Sequence, residues 1–265
     1  MSNTLEKSGL GTYIHTGASV VMQDPLQPDP CQRRTPQHMG TLMARIKAIM
    51  TSSHAILRQF LAILFCLGLL LAVPALANER PAIMVFGDSL VAGHGLPQGE
   101  AFPDILGHKL AKAGVDVRMI NAGVSGDTTA GGLARLDWSL AENPQAAIIV
   151  LGGNDLLRGL PPEASFVNLD AIIASLRERN IPVLLAGMQA PRNFGADYAR
   201  EFDAIYRRLV AKYDILFYPF FLDGVALQPD MNLSDGIHPN AAGIDHIATR
   251  MLPLAQKLVG AIQMR

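Results

Sequence analysis

Four short polar motifs in this sequence contain the residue types that nucleophilic hydrolysis needs. They are GDSL at 87–90, GVSGD at 123–127, GGND at 152–155 and DGIHPN at 235–240. Hydrolysis of an ester by serine requires a hydroxyl, a base that takes its proton, a carboxylate that holds the base in one tautomer, and donors for the developing oxyanion. The four motifs together supply each of these groups, so they indicate acyl transfer through a serine.

The histidine that would act as the base can be selected by its position. The chain after residue 78 contains four histidines, at 94, 108, 238 and 246. His108 and His246 fall within helical patterns, where a solvated or satisfied histidine is the simpler interpretation. His94 lies in the loop after the GDSL motif and could line a pocket, but it has no carboxylate at a fixed short spacing. His238 has Asp235 three residues before it, in a turn that contains glycine and proline. This spacing favours His238 as the base.

The segments between the motifs predict the sheet that positions them. Short, nearly continuous apolar runs indicate buried strands at 82–86, 115–120, 146–151, 182–187 and 215–218. Apolar residues at three- and four-residue spacing indicate helices at 102–113, 128–140, 166–180, 196–213 and 241–263. Alternation of strands with helices is typical of α/β proteins. We therefore predict a three-layer, doubly wound (flavodoxin-like) α/β fold with a five-stranded parallel sheet and helices on both faces.

The motifs stand where such a fold places functional residues. In an open α/β sheet these residues collect in the loops at the carboxyl ends of the strands, and the first three motifs directly follow the first three predicted strands. Other familiar patterns are absent from the sequence. No G-x-S-x-G elbow surrounds Ser89, no dinucleotide or P-loop motif follows the first strand, and no H-E-x-x-H occurs. We expect neither a cofactor nor a metal.

Residues 60–73 form an uncharged apolar run that is typical of an export signal. Basic Arg45, Lys47 and Arg58 precede the run, and the small-residue sequence ALA at 75–77 follows it. The run has 14 residues, which is short of the roughly 20 that span a bilayer as a helix. We expect a signal peptide region at 43–77, cleavage near Ala77, and a periplasmic or secreted protein without a stable membrane anchor. An uncleaved anchor is the alternative.

The remaining chain divides on either side of this signal region. Residues 1–42 are polar and rich in proline and glutamine, which predicts disorder or a translation start placed too early. Residues 78–265 contain no repeat or linker, so they are predicted to form one domain. Both cysteines, Cys31 and Cys66, precede the cleavage site, which excludes a cysteine nucleophile from the mature chain. A net charge of −1 without a basic run argues against nucleic-acid binding.

The four motifs also carry a resemblance to a known family. In order, GDSL after the first strand, the glycine of SGD at 125–127, GGND, and Asp-x-x-His at 235–238 match the four blocks of the SGNH (GDSL) hydrolases. One such motif arises easily by chance, whereas four in order at strand ends are specific. The resemblance covers nearly all of residues 82–259. It implies the SGNH hydrolase fold and hydrolysis of acyl esters and thioesters, of the arylesterase, thioesterase or lysophospholipase type.

The resemblance implies a role for each matching residue. Ser89 would be the nucleophile and would also offer its backbone N–H to the oxyanion. Gly126 would add a second backbone N–H, and the side-chain amide of Asn154 would be the third donor. His238 would act first as general base and then as general acid, with its imidazole oriented by Asp235.

Substrate contacts are expected from apolar residues in the loops beside these motifs. Leu156 and Leu157 follow Asn154, and Met188 and Pro191 follow the fourth predicted strand, which suits an acyl chain or an aryl group. An alternative of equal weight is that these residues only pack against their own loops. The expected binding partner is a substrate, a small-molecule or lipid acyl ester. The expected oligomeric state is a monomer.

Two alternatives to this activity stay open at the level of sequence. The first is a polysaccharide deacetylase on the same scaffold. It would be expected to present clustered aromatic residues to sugars, whereas the sole tryptophan, Trp138, falls in a predicted helix. The second is a non-catalytic envelope binding protein that has kept the fold, which would be expected to have lost at least one of the four motifs.

Overall fold

The computed structural model describes residues 37–71 and 80–263, in two units that divide after Ala75. In the first unit the described element is helix α1 (Gln37–Leu71), which includes most of the apolar run at 60–73. The helix begins at Gln37, within the segment 1–42 for which we predicted disorder or a translation start placed too early. Within the described residues, every helix is too short or too polar to cross a membrane. The expected cleavage position near Ala77 lies outside the described residues.

The second unit contains a five-stranded sheet. Its strands are β1 (Ala82–Gly87), β2 (Arg118–Gly123), β3 (Ala146–Val150), β4 (Val183–Ala186) and β5 (Leu216–Tyr218). All neighbouring strands are parallel, and their order in the sheet is β2-β1-β3-β4-β5. This is the strand order of flavodoxin-like doubly wound proteins, so the predicted fold class is confirmed.

Helices cover both faces of this sheet. They are α2 (Ser89–Ala92), α3 (Phe102–Lys112), α4 (Thr129–Leu140), α5 (Gly153–Leu157), α6 (Pro162–Glu178), α7 (Ala196–Tyr213) and α8 (Ala241–Gln263), with short 3-10 turns at Arg192–Phe194 and Pro229–Met231. Helix α3 packs beside α8, whereas α6 packs between α4 and α7. Because parallel crossovers are right-handed, these two groups lie on opposite faces and complete the three layers.

The core explains why the central strands lack apolar–polar alternation. Every residue of β1, β3 and β4 is buried, as expected for strands with helices on both sides. Helix α3 contributes Phe102, Leu106 and Leu110, which recur every four residues along one face and are fully buried. Each large apolar side chain buried in this way stabilises the fold by about 1.5–3 kcal/mol.

The structure differs from the sequence prediction at the start of β2. We predicted a strand from residue 115, but the strand begins at Arg118. Gly114 has a φ of +79°, and the Val115 N–H donates to the Leu110 carbonyl at 2.9 Å. This is a Schellman-type helix end, in which the apolar residue after the glycine packs back on the helix instead of entering the sheet. The short helices α2 and α5 were not predicted, since four or five residues carry no periodic signal.

Candidate active site

The carboxyl ends of the first three strands lie level with one another. In the sheet register, Gly87 pairs with Gly123 on one side and with Val150 on the other. The loops that contain the GDSL, GVSGD and GGND motifs therefore leave the sheet side by side. In this strand order the chain reverses direction between β1 and β3, which is where doubly wound proteins bind their ligands.

Ser89 begins helix α2 immediately after β1. Asp88 caps this helix, and its Oδ1 accepts the backbone N–H of Leu90 at 3.0 Å. The helix passes very close to the end of β2, because a Cβ atom at Gly123 would collide with the backbone nitrogen of Ala92. Glycine at position 123 therefore allows the short helix that carries Ser89 to sit directly against the sheet.

A continuous chain of hydrogen bonds joins Ser89, His238 and Asp235. The Oγ atom of Ser89 lies 2.9 Å from Nε2 of His238, although 149 residues separate the two in sequence. Nδ1 of His238 lies 2.7 Å from Oδ2 of Asp235. With its Nδ1–H donated to the carboxylate, the ring presents the Nε2 lone pair to the serine hydroxyl. This is the geometry of a serine whose proton can be taken by a neighbouring base.

The turn at 235–238 holds the carboxylate in its charged form. Oδ1 of Asp235 accepts the backbone N–H groups of Ile237 at 2.8 Å and of His238 at 3.0 Å. The N–H of His238, then that of Ile237 and then the His238 ring lower the pKa of Asp235 well below its ordinary value. An anion therefore stays beside the imidazole at neutral pH, and the turn directs Oδ2 towards Nδ1.

The two other expected oxyanion donors border the same cavity as Ser89. Gly126 lies in the turn after β2 with a φ of +87°, a conformation that favours glycine. Asn154 lies in helix α5, and its Nδ2 donates to the backbone carbonyl of Asp127 at 3.0 Å. The same nitrogen has a longer contact of 3.3 Å to Oδ2 of Asp88. The hydrogen bond to the Asp127 carbonyl thus fixes the Asn154 amide. A substrate oxygen could replace Asp88 Oδ2 as the acceptor of the longer contact.

Asp88 is a buried carboxyl group beside Ser89. Only 1% of the residue is exposed. Burial raises the pKa of Asp88 from 3.8 to about 6, and the hydrogen bonds from the Leu90 N–H and the Asn154 side chain offset part of that increase. The group connects helix α2 to Asn154 of the third motif.

Buried and half-buried polar side chains link the three motif loops to one another. Oδ2 of Asp155 accepts the Thr129 N–H at 2.8 Å, and Oδ1 accepts the Thr129 hydroxyl at 2.5 Å. Arg135 donates through Nε to Asp127 at 2.5 Å and through Nη2 to the Gly87 carbonyl at 2.9 Å. Leaving such a buried group without its partner costs about 1–3 kcal/mol. These links hold the three loops in one fixed arrangement.

An apolar cavity of about 590 Å³ opens beside Ser89. The four residues expected to contact substrate, Leu156, Leu157, Met188 and Pro191, all line it. The segment between β5 and α8 forms a further wall that sequence reasoning missed, through Phe220, Leu222, Ala226, Leu227 and Ile237. Apolar residues in a loop carry no periodic signal, so their shared orientation became visible only in the fold.

His94 also lines this cavity, as its place in the loop after Ser89 suggested, although its spacing did not favour it as the base. Its ring centroid lies 4.5 Å from that of His238, and the two ring planes are inclined by 43°. The side chain is exposed and borders the cavity. A partner 144 positions away in the chain could not be inferred from local spacing.

Comparisons with known proteins agree with this architecture. Residues 85–245 match the model of the GDSL-like lipase/acylhydrolase family. "Esterase TesA" of Pseudomonas aeruginosa is 38% identical over 195 residues, which cover 73% of this chain and 96% of the relative. "Thioesterase 1/protease 1/lysophospholipase L1" of Escherichia coli is 36% identical over 69% of this chain and 87% of the relative. AlinE4, an SGNH-hydrolase family esterase of known crystal structure, is 48% identical in sequence. Its structure matches this one with a TM-score of 0.58, over 68% of this chain and 96% of the AlinE4 chain. The chain belongs to the GDSL-like lipase/acylhydrolase family.

Proposed function

We propose that this protein is a serine esterase that hydrolyses acyl esters and thioesters through an acyl-enzyme. The observation that carries the proposal is the hydrogen-bonded chain from Ser89 through His238 to Asp235, which stands at the edge of an apolar cavity. A hydroxyl, a base and an orienting carboxylate in this order are the minimum set for serine-dependent acyl transfer.

In the first half of the reaction, the Ser89 Oγ attacks the carbonyl carbon of the substrate while Nε2 of His238 takes the hydroxyl proton. The carbonyl oxygen becomes an oxyanion. It accepts hydrogen bonds from the backbone N–H groups of Ser89 and Gly126 and from the side-chain amide of Asn154. The tetrahedral intermediate then collapses, and the C–O or C–S bond to the leaving group breaks. The imidazolium of His238 gives its proton to that leaving group, which leaves the acyl group esterified to Ser89.

In the second half, water takes the position of the leaving group. Nε2 of His238 removes a proton from this water as its oxygen attacks the acyl carbon. Collapse of the second intermediate returns the proton to the Ser89 Oγ and releases the carboxylic acid. Asp235 stays ionised throughout, because the backbone N–H groups of its turn stabilise the anion, and it offsets the positive charge on the ring in both halves.

The cavity supports acyl esters with an apolar chain or an aryl group as substrates. Its lining surface is mainly apolar and includes leucine, methionine, proline and phenylalanine side chains, which favour hydrocarbon over hydroxyl-rich sugars. The two relatives described above are named as an esterase and as a thioesterase, protease and lysophospholipase, which supports oxygen esters and thioesters, including lysophospholipids, as substrates. This lining does not favour the polysaccharide deacetylase alternative.

We also propose that the protein is exported, cleaved near Ala77 and active as a monomer. The support is the basic, apolar and small-residue order of residues 43–77. Expression of the full chain in a bacterial host, followed by N-terminal sequencing of the protein from the cell envelope, tests this. A mature N-terminus at Asn78 is the expected result, and an intact signal region would contradict it. Light scattering of the purified protein tests the monomer.

The test of the proposed activity is turnover of p-nitrophenyl acetate, butyrate, octanoate and palmitate by the wild type and by Ser89→Ala. We expect hydrolysis by the wild type that is lost in Ser89→Ala. Ser125→Ala is the matched control, because Ser125 borders the same cavity but has no place in the hydrogen-bonded chain. Hydrolysis that survives Ser89→Ala would refute the serine mechanism, and no hydrolysis of any ester would favour the deacetylase or the non-catalytic binding protein.

A further inference from the structure

Three side chains of metal-ligating type lie close together beside the cavity. One ligand atom each of His94, Asp235 and His238 lies within 4.8 Å of the others, which makes this the single such group among the side chains that the structure describes. His94 and Asp235 are exposed and His238 is half-buried, so a dissolved ion can reach all three. His94 comes from the loop after α2, and the other two come from the turn before α8.

The ligand types of these three side chains suit a metal cation of intermediate softness, such as Zn²⁺. Two imidazoles and one carboxylate are ligands that Zn²⁺ prefers, at bond lengths of about 2.0–2.2 Å. A tetrahedral zinc centre then separates neighbouring ligand atoms by about 3.4 Å. The present spacing of up to 4.8 Å is wider than this. His94 is exposed and lies in a loop, so its ring can move towards the other two ligands.

Nδ1 of His238 and Oδ2 of Asp235 already face each other, 2.7 Å apart. A cation that displaces the Nδ1 proton can therefore bind both atoms, after a small increase in their separation.

We propose that Zn²⁺, or a cation of the same class, binds to His94, His238 and Asp235 and reversibly inhibits the esterase. Inhibition follows because the ion takes the place of the Nδ1 proton of His238, which removes the 2.7 Å hydrogen bond to Asp235. The remaining ring proton is then on Nε2, 2.9 Å from the Ser89 Oγ, so this nitrogen cannot take the hydroxyl proton.

The inhibitory part of this proposal rests on the proposed esterase function, whereas the binding part does not. Metal binding is therefore measured directly, by isothermal titration of ZnCl₂ into untagged, EDTA-treated Ser89→Ala protein. The same measurement is made on Ser89→Ala/His94→Gln and on Ser89→Ala/His108→Gln. His108 is an exposed histidine of α3 outside the ligand group, so it is the matched control.

We expect His94→Gln to weaken Zn²⁺ binding at least about 10-fold, since even residues that only support a metal ligand are worth about 10–100-fold in affinity. The His108→Gln protein should bind Zn²⁺ like its parent. Mg²⁺ should not bind at this site, because it prefers an all-oxygen shell. No Zn²⁺ binding, or equal binding with and without His94, overturns the proposal even if the esterase activity is established.

The inhibition is tested on enzymes with an intact Ser89. Each is assayed with p-nitrophenyl butyrate over a Zn²⁺ series, and the rate is divided by that of the same protein in EDTA. The concentration for half-inhibition should rise at least about 10-fold in His94→Gln, and EDTA should restore the wild-type rate. An unchanged half-inhibition concentration in His94→Gln overturns the inhibitory role. A protein that binds Zn²⁺ through His94 but hydrolyses no ester instead refutes the esterase function alone.

Discussion

Replacement of Asp235 by asparagine should disable the base while leaving the turn intact. In the wild type, Oδ1 of Asp235 accepts two backbone N–H groups, from Ile237 and His238, and Oδ2 accepts the ring Nδ1–H. In Asp235→Asn the side-chain carbonyl oxygen must stay on the two backbone donors. The NH₂ group then faces Nδ1, which has to become an acceptor. The ring proton moves to Nε2, so the nitrogen beside Ser89 can no longer take the hydroxyl proton.

The size of the expected fall in turnover follows from the loss of the correct histidine tautomer. The analogous substitution in a Ser-His-Asp triad lowers turnover by about 10⁴, which corresponds to about 5.5 kcal/mol in the activation free energy. We expect a fall of this size in kcat on p-nitrophenyl butyrate for Asp235→Asn. The thermal midpoint should stay near that of the wild type, because both backbone hydrogen bonds of the turn are kept. Asp235→Ala should be less stable than Asp235→Asn, because it loses these bonds.

The assay is steady-state hydrolysis together with thermal unfolding on the same samples. Asp230→Asn is the matched control, because Asp230 lies in the neighbouring 3-10 turn and does not border the cavity. It should keep wild-type turnover. A kcat for Asp235→Asn within about 10-fold of the wild type would show that the tautomer is not set by this carboxylate, and the reasoning would be wrong.

Three further outcomes are expected. Asn154→Ala should lower kcat by about 10²–10³ in the same assay, because it removes one oxyanion donor, and an unchanged kcat would exclude the amide from that role. Burial raises the pKa of Asp88 from 3.8 to about 6, so the folded state binds this proton more tightly than the unfolded state. The stability that Asp88 contributes should therefore fall by about 2 kcal/mol as pH rises from 4 to 6. Urea unfolding of wild type and Asp88→Asn across this range should diverge by this amount, and parallel curves would contradict the burial argument. Gly123→Ala should destabilise the protein by about 1–3 kcal/mol and lower kcat, because the new Cβ meets the backbone of Ala92 and displaces the helix that carries Ser89. Urea unfolding of Gly123→Ala identical to that of the wild type would show that the helix can move freely.

Sequence alone was sufficient for the fold class and for the motifs of the site. The strands at 82–87, 146–150 and 183–186 are continuous apolar runs because both faces of each are buried, and burial on both faces is recorded directly in residue type. The spacing of Asp235 and His238 likewise has a local cause, since a turn brings residues three apart together. The start of β2 was misplaced because Val115 is apolar for a different reason, which is packing against the end of α3.

Tertiary structure decided which of these residues meet. The order of strands in the sheet brings the loops after β1, β2 and β3 side by side, and no residue type in those loops encodes that neighbourhood. The link between Arg135 and the Gly87 carbonyl, the cavity wall after β5 and the contact of His94 with His238 all join segments that are distant in sequence. Residue patterns report whether a side chain is buried and which turn its backbone makes. Which partner it finds depends on how the crossovers stack the strands, and that is a property of the folded chain as a whole.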